Sequence, residues 1–354
     1  MSDGTRPRQR RLTKTHKRLI SAASSIAVVV AVFAFFLPRV ADYRDVLDVL
    51  RELDWQDGLL LGGATVLNLA TFPPSWMAAL PGLRYRQALA MTQASTALAI
   101  VSPAGAAVGM AGSYAMLRSW GFGSGPVGLA VAVSGIWNQL ANLAFPVVAL
   151  ALLTSTGQDH PALRTAALVA VGVLVVVLAS FGLTLSRPSR ARQIGAWAAR
   201  IVNRLARIGR RGPVSWGPEN LVRFRARALD LLRRRWHVLT IGTLIGHLTV
   251  FLLFVVCLRV VVVTASEVSG VEAFAAWALV RILGAIPLTP AGVGVVEIGL
   301  TGALVAFGAS NAEAVTATLL YRALTVLPTL ALGLLAAATW RSYHPESIVR
   351  RQDH

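Results

Sequence analysis

Four ionisable side chains lie among Leu, Val, Ala and Phe in this chain: Arg259, Arg281, Glu297 and Arg322. A charge in such surroundings is costly unless it is paired or meets a charged ligand. Glu297 is the one acid within an apolar segment. It follows "PLTPAGVGVV" (287–296), where two prolines and two glycines interrupt a helical pattern. Glu297 stands seven residues past Pro290, about 10 Å along a helix. Arg281, nine residues before Pro290, falls at similar depth. Arg322 is well inside the last apolar segment and is preceded by Tyr321. If the three arginines and the glutamate converge, they leave an excess of about two positive charges, which a lipid phosphate would balance. The competing reading is structural: Glu297 pairs with Arg281 or Arg322, and Arg259 extends from its helix end to the interface.

The break itself offers a second chemistry. "SPAG" (Ser102–Gly105) returns as "TPAG" (Thr289–Gly292) at an offset of 187. In each, Pro103 or Pro290 stops one arm and the next arm starts near Gly105 or Gly292. A helix start presents unpaired N–H groups and partial positive charge, so two facing starts would hold an anion without side chains. Gly105, Gly292 and Gly294 would allow close approach of a ligand; alternatively they serve tight helix packing. Asn68, Asn138, Gln139, Asn142 and His247 also fall near mid-segment, where most would bond between helices and a minority would line a path. There is no phosphate-binding loop, no H-E-x-x-H and no nucleophile elbow. The six histidines are scattered and Cys257 is the one cysteine. No enzyme activity, metal or cofactor is expected.

The elements that must position these residues are membrane helices. The chain has 354 residues, 55% hydrophobic and 14% charged, against about 25% charged in soluble domains. Six apolar segments read as full spans: 19–38, 57–80, 126–152, 162–186, 238–263 and 313–339. Segments 87–119 and 273–308 are too long for one span, and each contains a Pro-Gly break. Loop charge decides their path. Residues 1–19 carry seven Lys/Arg, 39–57 carry six acids against three Arg, and 187–236 carry fourteen Arg and two acids. If both broken segments return to the side they entered from, every loop obeys the positive-inside rule. If the first one crosses, the fourteen-Arg loop lands outside. The expected fold is an all-α polytopic membrane protein with six spans and two oppositely inserted re-entrant helical hairpins, related as an inverted repeat.

The organisation that follows is a basic cytoplasmic N-terminus (1–18), a first membrane half (19–186), a cytoplasmic Arg-rich amphipathic loop (187–236), a second membrane half (237–340) and a cytoplasmic tail (341–354). The loop's "AWAARIVNRLARIGRR" and "ENLVRFRARALDLLRRRW" are expected to lie on the inner membrane surface. Residues 44–56 read as a short interfacial helix on the other face. The net charge of +18 is assigned to positive-inside loops, not to nucleic acid.

The run Arg281…Pro287-x-x-Pro290-Ala291-Gly292-x-Gly294-x-x-Glu297, then Tyr321-Arg322, resembles the membrane region of lysylphosphatidylglycerol synthases, which is shared with stand-alone flippase-like proteins. The family form is P-x-x-P-G-G-x-G-x-x-E, and Ala291 replaces the first Gly of the pair. The resemblance implies an inner-membrane protein that moves an anionic, aminoacylated or related lipid between leaflets. It does not imply lysyl transfer, because that activity belongs to a soluble domain outside this region. Substrate contacts are then expected from Arg281, Arg322, Glu297, Pro290, Gly292, Gly294, Tyr321, Pro103 and Gly105. The partners are an anionic phospholipid and the bilayer, and self-association stays open. Two other readings remain: a secondary transporter for a small soluble anion, and a scaffold that recruits an enzyme through loop 187–236.

Overall fold

A computed structural model describes residues 51, 53–102, 105–155, 161–186, 189, 218–261, 263, 264, 266–285 and 292–340. The expected first span (19–38), the tips at Pro103–Ala104 and Pro287–Ala291, the stretch 190–217 and the tail lie outside these residues, as does most of 44–56. Among the described residues all regular structure is helical. The helices are α1 (Trp55–Thr71), α2 (Pro73–Ala79), α3 (Tyr85–Ile100), α4 (Gly105–Ser119), α5 (Ser124–Ser155), α6 (Pro161–Ser186), α7 (Pro218–Val260), α8 (Gly270–Ala285), α9 (Val295–Phe307) and α10 (Asn311–Thr339). Among the described residues three stretches, Ser124–Ser155, Val222–Val260 and Asn311–Thr339, are long and apolar enough to cross a membrane. Leu168, Val169, Val175, Val176 and Leu183 of α6 are exposed, as an apolar surface is when its solvent is lipid.

Two expected elements differ in form. Segment 57–80 is not one helix: Pro73 and Pro74 occupy the first turn of α2, and proline there cannot continue the hydrogen-bond ladder of α1. Residues 218–236 do not form a separate surface helix. They run unbroken into the apolar part of α7, a helix of 43 residues. Phe224, Ala228, Leu231 and Leu232, at helical spacing, pack on α2 and α5 beside Leu80 and Val127. That face is therefore covered by protein.

Both broken segments fold as paired arms. α3 packs on α4 and α8 packs on α9. The neighbours of these pairs are exchanged: α3 also packs on α10, the helix after the second pair, and α8 packs on α5, the helix after the first. The long α7 touches α1, α2, α5 and α10. The offset of 187 recurs in the backbone. α4 ends at Gly121 (φ 90°) and α9 at Gly308 (φ 122°), a left-handed conformation that favours glycine. The closing bonds correspond one to one: Gly121 N–H to Arg118 O and Phe122 N–H to Leu117 O match Gly308 N–H to Val305 O and Ala309 N–H to Leu304 O. These are the paired bonds of a Schellman closure. The next helices begin at Ser124 and Asn311, again 187 apart.

Small residues set the approach of these arms. A methyl group at Gly105 would lie 2.6 Å from Ala99 O, and one at Gly109 2.9 Å from Ser95 O. At Gly333 on α10 a methyl would meet the Cβ of Ala97 and lie 2.9 Å from Gln93 O. Backbones this close maximise dispersion contact, the main attraction between helices in lipid. Gly333→Val is therefore expected to destabilise the protein by about 1–3 kcal/mol through overpacking. Gly302→Ala, where nothing lies within 4 Å of the added methyl, should be neutral or slightly stabilising. Thermal unfolding of both variants in detergent, followed by circular dichroism, checks the contrast.

Candidate functional site

The carboxylate of Glu297 is buried in the first turn of α9. One oxygen, Oε2, accepts the N–H of Gly294 at 2.6 Å, which satisfies one of the free donors at the helix start. The other, Oε1, accepts from Arg322 Nε on α10, also at 2.6 Å. A single side chain thus caps one helix and ties it to the next. Gly292 (φ 66°) and Gly294 (φ 85°) adopt left-handed backbone ahead of the helix, a turn that non-glycine residues resist. Tyr321, beside Arg322, is buried with its ring edge-on to Phe254 at 5.3 Å. Farther along the same pair of helices, Thr301 donates to Thr318 at 3.4 Å.

Arg281 stands in a second cluster with different chemistry. Its Nε and Nη2 donate to Asn142 Oδ1 of α5 at 3.1 and 2.6 Å. Nη2 also donates to His247 Nδ1 of α7 at 2.7 Å. The guanidinium stacks over Trp277, one turn earlier on α8, at 4.6 Å from the ring centroid, a cation–π contact. An arginine can only donate, so Nδ1 accepts and the neutral ring carries its proton on Nε2. That Nε2 is buried and has no hydrogen-bond partner among the described residues. The ring is clamped edge-on by Phe72 and Phe145.

The two arginines are thus treated differently. Arg322 is neutralised by Glu297, whereas the hydrogen-bond partners of Arg281 among the described residues are neutral. Glu297 pairs with Arg322 and not with Arg281, which decides between the two pairings open to it in the sequence. Arg259 is not brought to either cluster: it donates to Val263 O at 2.5 Å and Val268 O at 2.9 Å, closing the end of α7. The expected convergence of three arginines is not observed; Arg281 is left as an interior cation with no carboxylate partner among the described residues. Gly105 is filled from the α3 side by the Ala99 carbonyl, so its missing side chain serves packing. Pro103 and Pro290 lie outside the described residues. Asn138 and Gln139 are exposed, and Asn142 Nδ2 donates to Gln139 at 3.3 Å.

Trp277 was not singled out from the sequence as part of the site. Its spacing of four from Arg281 on an apolar helix was the available signal, since residues four apart share a face. The roles of Asn142 and His247 required α5 and α7 to be placed beside α8.

The two clusters should respond differently to truncation. Arg322→Met leaves a buried carboxylate unpaired and is expected to cost on the order of 3–5 kcal/mol. The double variant Glu297→Leu/Arg322→Met should recover most of that loss, and Arg281→Met should cost less than Arg322→Met because no counter-charge is stranded. Chemical denaturation of the four proteins in detergent micelles measures this, and a double variant no more stable than Arg322→Met would contradict the pairing.

A search among curated proteins finds no match. The family described as the lysylphosphatidylglycerol synthase TM region matches residues 22–333, nearly the whole chain, including Asn142, His247, Arg281, Glu297 and Arg322. The chain is a multi-pass membrane protein and belongs to the lysylphosphatidylglycerol synthase transmembrane-region family.

Proposed function

We propose that this protein translocates an anionic phospholipid between leaflets, acting as a carrier without bond-making chemistry of its own. The observation that carries the proposal is Arg281: a cation inside the helical body, held by Asn142, His247 and Trp277, with no carboxylate among its described hydrogen-bond partners. A buried charge left uncompensated is costly, and an anionic headgroup phosphate would supply the missing charge. His247 Nε2–H, buried and without a partner among the described residues, adds a neutral donor in the same cluster. Membership of a family named for a lipid synthase favours a lipid over a soluble anion.

The architecture supports an alternating path. The exchanged packing of α3 on α10 and α8 on α5 and the matched Schellman closures at Gly121 and Gly308 fit an inverted repeat of two re-entrant hairpins. One further correspondence strengthens that reading. The offset of 187 carries Glu297 onto Met110 and Arg322 onto Gly135. A methyl at Gly135 would lie 3.5 Å from the Met110 side chain. The same pair of positions therefore meets in both halves, as an ion pair in one and an apolar contact in the other. The second hairpin is fastened by charge and the first by packing alone. The N-terminus and the 218–236 end of α7 are placed in the cytoplasm by the positive-inside rule. With no nucleotide-binding motif in the sequence, lipid gradients or ion gradients would drive net movement.

The test is translocation of fluorescent phosphatidylglycerol in liposomes reconstituted with the full chain, read by dithionite quenching. Wild type should move it, and Arg281→Gln should slow it at least about tenfold while eluting as a folded protein, since a lost charge-assisted bond is worth about 1.5–3 kcal/mol. Equal rates for wild type and Arg281→Gln would overturn the role of Arg281. Uptake of a small soluble anion without lipid movement would replace the lipid reading by an anion transporter.

A further inference from the structure

The middle of α5 carries the wrong residues for a helix surface that meets lipid. Asn138 and Gln139 are both exposed. They stand fourteen and fifteen residues from Ser124, and seventeen and sixteen from Ser155, so about 20 Å or more from either end of the span. A carboxamide at that depth is costly in hydrocarbon, where nothing meets its donors and its acceptor. Val148, exposed nearer the Ser155 end, is apolar. Nine residues beyond Gln139, it projects from the opposite side of the helix.

The neighbours of α5 leave a gap at this level. Gly135, Gln139 and Asn142 share one face, at spacings of four and three. α4 covers the Gly135 end, where the Met110 side chain lies 3.5 Å from the place of an added methyl. α8 covers the Asn142 end, through the two bonds from Arg281. Gln139 stands exposed between them, so α4 and α8 leave α5 uncovered there. Exposure then falls along the polar groups that lead inward. Gln139 is exposed, Asn142 and Arg281 are partly exposed, and His247 is buried. Hydrogen bonds join them without a break: 3.3 Å from Asn142 to Gln139, then 2.6 and 2.7 Å from Arg281 Nη2 to Asn142 and His247. The backbone adds an acceptor at the same depth. Pro146 lies within α5 and has no N–H to give the carbonyl of Asn142.

We propose that this gap is a water-filled cleft, the route by which hydrophilic groups reach Arg281 from outside the helical body. Water satisfies the carboxamides of Asn138 and Gln139 and the Asn142 carbonyl, which lipid tails cannot do. The cleft lies between α4, the second arm of the first broken segment, and α8, the first arm of the second. Its purpose rests on the reading of Arg281 as a ligand site. Its hydration does not, and is measured without any lipid movement. A second copy of the chain laid over Gln139 would meet the same polar demand, and the test separates the two.

The full chain carries one cysteine, Cys257, which is buried, so a single added thiol can be followed by intact-mass spectrometry in proteoliposomes. Gln139→Cys and Val148→Cys are exposed to a membrane-impermeant anionic methanethiosulfonate present on both sides of the bilayer. Gln139→Cys should react at least about tenfold faster although it lies deeper, because the thiolate is the reacting form and an apolar setting suppresses it. It should also favour the anionic reagent over a cationic analogue, relative to their rates with a free thiol in water. Adding Arg281→Gln should abolish that preference and leave the labelling itself intact. Gln139→Cys no faster than Val148→Cys, or joined into disulfide-linked dimers by oxidation with its labelling blocked, would overturn the cleft. A charge preference unchanged by Arg281→Gln would overturn its connection to Arg281. None of these readouts involves lipid translocation, so a failed transport assay would leave them standing.

Discussion

A carboxylate in an apolar interior organises the second half of this protein. In a bilayer no water is at hand to satisfy a freed backbone donor, so an interrupted helix must find partners within the protein. The Pro-Gly break before α9 creates such donors, and Glu297 answers with both of its oxygens, one to Gly294 N–H and one to Arg322. The start of α9 and the middle of α10 are thereby held in one register. Left-handed glycines at 292 and 294 make the turn that lets the carboxylate reach back. Each of these features is costly alone in a membrane, and together they satisfy one another.

The positions 187 residues earlier carry no charge. Met110 and Gly135 meet where Glu297 and Arg322 meet, and the arms are held by close backbone approach at Gly105 and Gly109. Packing of this kind is short-ranged and non-directional, whereas an ion pair in low dielectric is directional and costly to break. Arg281 belongs to neither fastening. Its partners among the described residues are a carboxamide, an imidazole and an indole face, all neutral.

Much of this was legible in the residues. The break positions, the offset of 187 and the importance of Glu297 and Arg322 follow from apolar runs and from the expense of charges within them. The ends of α3, α4, α8 and α9 fall close to where the Pro-Gly breaks and loop glycines put them. What pattern could not supply was partner choice. Glu297 had two arginines at similar depth, and periodicity gives depth along a helix, not the angle at which a neighbouring helix presents its side chains. Arg259 showed the same ambiguity and turned back to the Val263 and Val268 carbonyls. Residues 218–236 read as a surface helix because amphipathicity reports that a face needs cover, not whether lipid or protein covers it.

The sequence by itself determined that the chain lives in a membrane, where its helices break and which side chains are too costly to be idle, because these follow from transfer free energies and from the backbone limits of proline and glycine. Only the tertiary structure decided that Arg322 is neutralised while Arg281 is left to Asn142 and His247. Those outcomes depend on which helices lie side by side over separations of 25 to 139 residues. That proximity is set by the fit of small residues such as Gly333 against facing backbones, a property of surfaces in contact and not of any single segment.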